Sequence, residues 1–211
     1  MVAGGDPRGQ AGFGIGQIDA GHTDLGESQF IGPAAQLHQQ PRAVNTRMTL
    51  LAHPPILETR TFTWPDEVGC VAFALRLAAL PALRQDTFIA LAGPLGAGKT
   101  TFVRHLLRAL GVTGRIKSPS FAVLEPYELK GLAVSHFDFY RFTDPREWAD
   151  AGFRDVFAAP GLKLAEWPDN AAPLLPLPDW RMEIEPHEGD RRHVSVQAMT
   201  PHGARLLADM S

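Results

Sequence analysis

The sequence predicts a three-layer α/β domain around a central mixed sheet. An apolar run, Thr87–Ala92, is typical of a buried parallel strand, and a glycine-rich loop and an amphipathic helix follow it directly. This order of strand, loop and helix is the repeating unit of open α/β sheets that bind nucleotides. Residues 180–185 and residues 193–199 each alternate apolar and polar side chains, and a Gly-Asp pair lies between them, which predicts a C-terminal β-hairpin.

Residues 1–55 differ in composition from the rest of the chain. They are rich in glycine and glutamine and carry no sustained apolar repeat of period two or 3.6. Such a segment buries too little apolar surface to offset its chain entropy. We therefore expect a disordered extension or a start codon assigned too far upstream, with Met48 as the true first residue. Residues 56–211 are expected to form the folded domain.

The remaining elements follow from apolar periodicity and from helix-start signals. Residues 56–63 alternate apolar and polar side chains, which predicts a half-buried strand. A helix is predicted to begin at residues 65–67, where two acids lie favourably at the positive end of the helix dipole. Cys70 is expected to be a small core or flanking residue of this helix. The apolar stripe predicted for it consists of Val68, Val71, Ala72, Leu75 and Ala79. Further strands are predicted at residues 121–124, 132–140 and 162–167, and further helices at 100–110, 145–151 and 201–210.

The bulk composition excludes several classes of protein. The 211 residues carry a net charge of -3, which excludes a uniformly basic coat for nucleic acid. One cysteine cannot form an internal disulfide. No apolar run is long enough to span a bilayer, and the first residues lack the basic-then-apolar order of a signal peptide. We expect a cytoplasmic protein with no membrane partner.

The loop at residues 93–100 reads Gly-Pro-Leu-Gly-Ala-Gly-Lys-Thr and matches the phosphate-binding P-loop pattern. Its glycines let successive backbone N–H groups curve around phosphate oxygens, and the following helix N-terminus favours an anion. Lys99 can reach the outer phosphates, and Thr100 offers a hydroxyl to magnesium. The domain is therefore predicted to be P-loop NTPase-like, with ATP and Mg²⁺ as its cofactors. The candidate nucleotide-binding residues are Gly93, Leu95, Gly96, Ala97, Gly98, Lys99, Thr100 and Thr101.

Two acids stand at the ends of predicted strands, where ligands of open α/β sheets bind. Asp138 ends the run at residues 132–138, and Glu166 ends the run at residues 163–166. Magnesium in proteins is usually held by one or two carboxylates, so both acids are candidate metal ligands together with Thr100. Lys99, Asp138 and Glu166 are the candidate catalytic residues. Either acid could orient the attacking water, and the alternative for each is an ordinary strand-end acid.

The interval between Asp86 and Glu125 contains no acidic residue. Its positive potential would favour a polyphosphate and could contact RNA, although a solvated helix face is the alternative interpretation. His136 stands two residues before Asp138 and could polarise a neighbouring group, or it could be a buried histidine with its hydrogen bonds satisfied. The basic residues of the interval are Lys99, Arg104, Arg108, Arg115 and Lys117.

Five short segments together resemble the bacterial TsaE family, the small ATPase of tRNA threonylcarbamoyladenosine biosynthesis. The loop alone is shared by many ATPases, but its combination with the other four segments is far more specific. The similarity extends from about residue 65 to the C-terminus. The segments are residues 96–102 (GAGKTTF), 117–121 (KSPSF), 125–127 (EPY), 136–141 (HFDFYR) and 166–168 (EWP).

The resemblance implies a function and a set of roles. The protein would hydrolyse ATP slowly by itself and act with the transferase TsaD and its paralogue TsaB, with tRNA met indirectly or through the basic interval. Thr100 and Glu166 would lie at the magnesium, with Asp138 at or near it, and the stretch around Asp66 and Glu67 would lie by the nucleotide base. Lys117, Ser118 and Ser120 would belong to a switch-like loop near the outer phosphate.

Two positions depart from the family pattern. Pro94 stands where the family usually has an acid, which removes a charge and a backbone donor from the loop. We expect this change to tune the loop and not to abolish its function. Ser120 replaces a common threonine and keeps the hydroxyl.

Two other functions are consistent with the loop. A P-loop kinase for a small acceptor would need a lid, for which residues 145–154 are the candidate. A nucleotide-gated binding module would assemble a complex without turnover. Phosphate release measured with and without partner proteins distinguishes the three.

Overall fold

The computed structural model of the protein describes residues 55–116, 119 and 123–210. They all belong to the second of the two units into which the chain divides, Thr49–Ser211. The predicted extension and the start at Met48 lie outside the described residues, as do Lys117, Ser118 and Ser120 of the predicted switch-like loop. The predictions for these residues stay predictions.

The described chain forms seven strands and five α-helices. The strands are β1 (Glu58–Trp64), β2 (Thr87–Ala92), β3 (Leu124–Leu129), β4 (Leu132–Asp138), β5 (Leu162–Glu166), β6 (Trp180–Pro186) and β7 (Arg192–Ala198). The helices are α1 (Glu67–Ala79), α2 (Lys99–Leu110), α3 (Pro145–Asp150), α4 (Phe153–Ala158) and α5 (Pro201–Ala208), with two short 3-10 helices at Pro81–Arg84 and Pro168–Ala171.

The strands form one mixed sheet in the order β1-β7-β6-β2-β5-β4-β3. β2 runs parallel to β5 and β6, and β4 runs parallel to β5. β1 with β7, β6 with β7, and β3 with β4 are antiparallel. The mixed sheet and the β6–β7 hairpin are therefore confirmed.

Alternate residues of β2 face two different apolar clusters. Ile89 and Leu91 contribute to the cluster that also contains buried residues of α1, α2 and α5. Phe88 and Ala90 contribute to the other cluster, which contains Trp148 of α3 and Phe153 of α4. Since a strand points successive side chains to opposite faces, helices cover both faces of this part of the sheet. The three-layer α/β prediction is confirmed.

Helix α1 buries a different face from the predicted one. The side chains of Val68 and Leu75, which were expected in the core, are 72% and 55% exposed. The buried residues are Cys70, Phe73, Ala74, Leu77 and Ala78. Phe73 packs against Trp64 of β1 and Phe102 of α2, with ring centroids 5.4 and 6.0 Å away. Because apolar residues occur on both faces of this helix, the buried face predicted from periodicity was wrong. The prediction that Cys70 is a small core or flanking residue is confirmed, since Cys70 is buried.

The strand predicted at residues 121–124 is also misplaced. Residues 121 and 122 lie outside the described chain, and Val123 has a φ of 61°, which interrupts extended backbone. Strand β3 starts at Leu124, where the predicted strand ended. Helix α4 was not predicted. Among the described residues, no helix is both long and apolar enough to cross a membrane.

Candidate functional site

The loop between β2 and α2 has the backbone conformation that its glycines allow. Gly93, Gly96 and Gly98 all have positive φ, at 128°, 78° and 109°. A Cβ on Gly93 would lie 2.2 Å from the backbone oxygen of Ile184, so only glycine fits there. The loop leads directly into Lys99, the first residue of α2. The N–H groups at this helix end are the donors that bind anions in such loops.

Lys99 folds back over its own loop. Its Nζ donates to the carbonyl oxygens of Gly93 at 2.7 Å and Pro94 at 2.9 Å, and lies 3.8 Å from the ring centroid of Trp167. Burial lowers the pKa of Lys99, while the nearby carboxylates of Glu166 and Asp138 act in the opposite direction. The ammonium is thus a positive charge held beside the loop, with two acids nearby.

The two predicted acids lie side by side at the ends of β4 and β5. Asp138 and Glu166 are partners in the parallel register. Glu166 is 2% exposed, and its Oε2 accepts a hydrogen bond from the Thr100 hydroxyl at 2.7 Å, while its Oε1 lies 2.9 Å from Nε2 of His136. Asp138 is half-buried, and its Oδ1 accepts from the backbone N–H of Tyr140 at 3.0 Å. The fold therefore brings the predicted metal ligands together.

These groups form a cavity of about 280 Å³, which we call the phosphate pocket after the ligand predicted for its loop. Loop residues 95–101, both acids, Tyr140 and Trp167 line it. Gly93 contributes the carbonyl that accepts from Lys99. The predicted catalytic, metal-binding and phosphate-binding residues thus converge on one cavity.

A second cavity of about 400 Å³, the side pocket, is also lined by residues 96–98 of the loop. Glu67 lines it, and its Oε1 lies 2.9 Å from Nε2 of His105. The place of Glu67 by the nucleotide base stays a prediction. Asp66 caps α1 by accepting from the N–H of Gly69. Burial, assisted by Glu67, raises the pKa of the Cys70 thiol to about 12, so this cysteine is a neutral wall residue. The lining residues are Trp64, Asp66, Glu67, Val68, Cys70, Gly96, Ala97, Gly98, Thr101, Asp190 and Arg192.

The family model described as threonylcarbamoyl adenosine biosynthesis protein TsaE matches residues 65–194 of the chain. This span begins one residue after the end of β1 and contains the loop, both acids and most of the C-terminal hairpin. The chain belongs to the TsaE family.

Curated relatives agree with this assignment. The chain is 33% identical over 159 residues to the tRNA threonylcarbamoyladenosine biosynthesis protein TsaE of Haemophilus influenzae, covering 74% of this chain and 99% of that one. It is 31% identical over 147 residues to the protein of the same name from Bacillus subtilis, covering 70% and 89%. A crystal structure of Bacillus subtilis YdiB matches with a TM-score of 0.59 at 24% identity over 72% of this chain and 94% of that one, which supports the fold.

Sequence reasoning did not assign a role in the site to Trp167. This residue has a φ of 57°, a strained conformation for a non-glycine residue, and its N–H donates to the Leu91 oxygen at 3.1 Å. The chain thus turns back directly after Glu166 and lays the indole against Lys99. The Glu-Trp-Pro segment at the end of a strand was the available signal.

Arg192 and Tyr140 were also missed. The Nε of Arg192 donates to the Ala97 carbonyl at 3.0 Å, which ties the C-terminal hairpin to the loop. The rings of Tyr140 and Trp167 are in tilted contact, with centroids 4.9 Å apart. Arg192 is 95 residues away from Ala97 in the chain, and no local pattern indicates such a contact.

Pro94 has a defined place in the loop. Its carbonyl accepts from the Ala97 N–H at 3.2 Å as well as from Lys99. Neither contact needs the N–H that proline lacks.

Proposed function

We propose that this TsaE-family protein binds ATP with Mg²⁺ and hydrolyses it to ADP and phosphate during threonylcarbamoyladenosine formation on tRNA. The observation that carries the proposal is the convergence of Lys99, Thr100 and Glu166 on the glycine-lined phosphate pocket. A buried lysine, a hydroxyl and a carboxylate at a helix N-terminus provide the charges that a nucleoside triphosphate and its cation require.

The side chains suit magnesium. Thr100, Glu166 and Asp138 offer only oxygen donors, which a hard cation prefers. Among the described residues, no group of three or more His, Cys, Asp or Glu side chains forms an all-protein metal site. Magnesium does not need such a site, because it keeps waters and phosphate oxygens as ligands. When bound, the cation would neutralise charge on the phosphates.

The chain's own groups divide the remaining work. The Lys99 ammonium and the loop N–H groups would stabilise negative charge on the outer phosphates. Glu166 is almost fully buried and accepts a hydrogen bond from Thr100, so we propose it as the carboxylate that binds the metal. Asp138 lines the same pocket and is more exposed, so we propose it as the acid that orients water.

The proposed partners are homologues of TsaD and TsaB, the components that carry out the transfer to adenosine. The names of the relatives in this family support a role beside other proteins of the same modification. Contact with tRNA would be indirect or through the basic surface of α2 and the loop after it, where Arg104, Arg108 and Arg115 are exposed.

The kinase alternative would use residues 145–154 as a lid. Trp148 and Phe153 of this segment are both buried in the cluster against β4 and β5. This anchoring favours hydrolysis over a closing lid.

Phosphate release from ATP by the purified protein, alone and with purified TsaB and TsaD homologues, tests the proposal. We expect slow release alone and a changed rate with the partners. Tight ATP binding without any ADP would indicate a nucleotide-gated binding module instead. ADP formed with no free phosphate, but with a phosphorylated acceptor, would indicate a kinase.

The biological role is tested separately in cells. A strain depleted of the protein should lose threonylcarbamoyladenosine from its tRNA, as measured by mass spectrometry of tRNA nucleosides. ATP-loaded and ADP-loaded protein should also differ in affinity for the partners, because hydrolysis shifts no equilibrium otherwise. Normal modification in a depleted strain without a redundant ATPase would refute the role.

A further inference from the structure

A buried histidine sits behind the acid proposed for the metal. His136 is fully buried on β4, and its Nε2 lies 2.9 Å from Oε1 of Glu166. The other carboxylate oxygen accepts from the Thr100 hydroxyl at 2.7 Å. Three side chains from β4, β5 and α2 thus form one hydrogen-bonded chain that ends at the phosphate pocket.

The chemistry of this chain sets the direction of each bond. An ionised carboxylate only accepts hydrogen bonds, so Nε2 of His136 carries the proton that it shares with Glu166. Nδ1 is buried and has no hydrogen-bond partner among the described residues. Burial of a polar atom without a hydrogen-bond partner carries a cost.

Packing alone does not account for a histidine at this position. Leu132 and Val134, the preceding residues on the same face of β4, are apolar and buried in the main core. A third apolar residue would avoid the unsatisfied Nδ1 atom. The one hydrogen bond that the His136 side chain makes among the described residues is to Glu166, which indicates that this contact is the reason for a histidine here.

We propose that His136 is a positioning residue for the metal-binding carboxylate. Its hydrogen bond to Oε1 fixes the orientation of the Glu166 carboxylate, so that Oε2 is directed to Thr100 and the pocket before a cation binds. Groups that orient a metal ligand in this way typically change metal affinity when they are removed. This inference rests on the proposed function, since it concerns the cation that accompanies ATP.

Three substitutions at one position separate positioning from packing. His136→Leu removes the donor and keeps an apolar side chain of comparable bulk. In His136→Gln the amide nitrogen can reach the place of Nε2, whereas in His136→Asn it reaches only the place of Nδ1. Val134→Ala on the same face of β4 is the matched control for lost core packing.

The readout is Mn²⁺ binding to the full-length protein with a non-hydrolysable ATP analogue, followed by electron paramagnetic resonance. Nucleotide affinity in EDTA and thermal melts are measured beside it. His136→Leu and His136→Asn should weaken Mn²⁺ binding by about tenfold to hundredfold. His136→Gln should keep most of the wild-type Mn²⁺ affinity. Val134→Ala should leave the Mn²⁺ affinity unchanged even if it lowers the thermal stability as much as the His136 variants do.

The outcomes separate this inference from the function on which it rests. Wild-type Mn²⁺ affinity in the leucine and asparagine variants, or a glutamine variant as weak as they are, overturns the positioning role. If the leucine variant does not fold, the comparison of asparagine with glutamine decides. If the wild-type protein itself binds no Mn²⁺ with the nucleotide analogue, the proposed function fails and the inference fails with it.

Discussion

The phosphate pocket and the side pocket share residues 96–98 and Thr101 but otherwise take their lining from different parts of the chain. The phosphate pocket takes its side chains from the loop itself and from the ends of β4 and β5. The side pocket takes them from β1, the start of α1, and the turn and first β7 residue of the C-terminal hairpin. Residues at strand ends beside a P-loop can be predicted from the sequence as ligand-binding residues. The part of the side pocket formed by β1 and β7 depends on the order of the strands in the sheet.

The difference also extends to electrostatics. Lys99, Asp138 and Glu166 place charges of both signs around the phosphate pocket. The side pocket is also lined by charged residues of both signs, but three of them are engaged in other contacts. Asp66 caps α1, Glu67 is paired with His105, and Arg192 donates to a loop carbonyl. We therefore expect substitutions in the phosphate pocket to have the larger effects, and substitutions in the side pocket to act mainly through the loop.

The largest effect is expected for Lys99→Ala. Loss of a charge-assisted contact of about 1.5–3 kcal/mol should reduce ATP affinity or turnover by roughly tenfold to hundredfold. Nucleotide binding by calorimetry and phosphate release measure it. Arg104→Ala, an exposed cation on the same helix, is the control. Normal binding and normal hydrolysis in Lys99→Ala would refute the P-loop assignment.

The two acids should have the next largest effects, and these should differ in kind. Glu166→Ala should weaken magnesium-dependent nucleotide binding, and Asp138→Asn should lower turnover by about tenfold with little change in binding. Phosphate release at varied Mg²⁺, with thermal melts alongside, separates the two. Glu128→Gln, an exposed acid on β3, should change neither quantity. A parallel loss of stability and activity in either variant would indicate a structural role for that acid.

A smaller effect is expected in the side pocket. Arg192→Ala removes the hydrogen bond to the Ala97 carbonyl, which we expect to cost about 1 kcal/mol, or roughly fivefold in ATP affinity. Arg191→Ala changes an exposed neighbour and serves as the control. If Arg192→Ala matched Lys99→Ala in its effect, the ranking of the two pockets would be wrong.

The smallest effect is expected from truncation. Both pockets are lined by residues from Trp64 onward, so a chain that starts at Met48 should fold and bind ATP as the full chain does. Limited proteolysis of the full chain should trim it to near this residue. Protection of residues 1–47, or weaker binding after truncation, would show that the N-terminal segment contributes to the domain.

Helices α1 and α2 show where sequence periodicity succeeds and where it fails. In α2, Arg104, His105 and Arg108 interrupt the apolar residues and mark the outer face, and the apolar side chains on the other face are buried. In α1, apolar side chains occupy both faces, and Phe73 is buried while Leu75 is exposed. Contact of Phe73 with Trp64 and Phe102 decides which face is buried, and that contact requires the sheet and α2 to be in place.

The amino-acid sequence by itself determined the phosphate-binding loop, the mixed α/β class and the two acids. These depend on local patterns: glycines at fixed spacing, a short apolar strand and charged residues at strand ends. Only the tertiary structure decided that Arg192 reaches the loop, that Trp167 lies on Lys99 and that His136 holds Glu166. Each of these contacts joins residues far apart in the chain, and the parallel pairing of β4 with β5 and β2 with β6 brings them within reach. Strand order is a property of the whole sheet, so no local stretch of sequence encodes it.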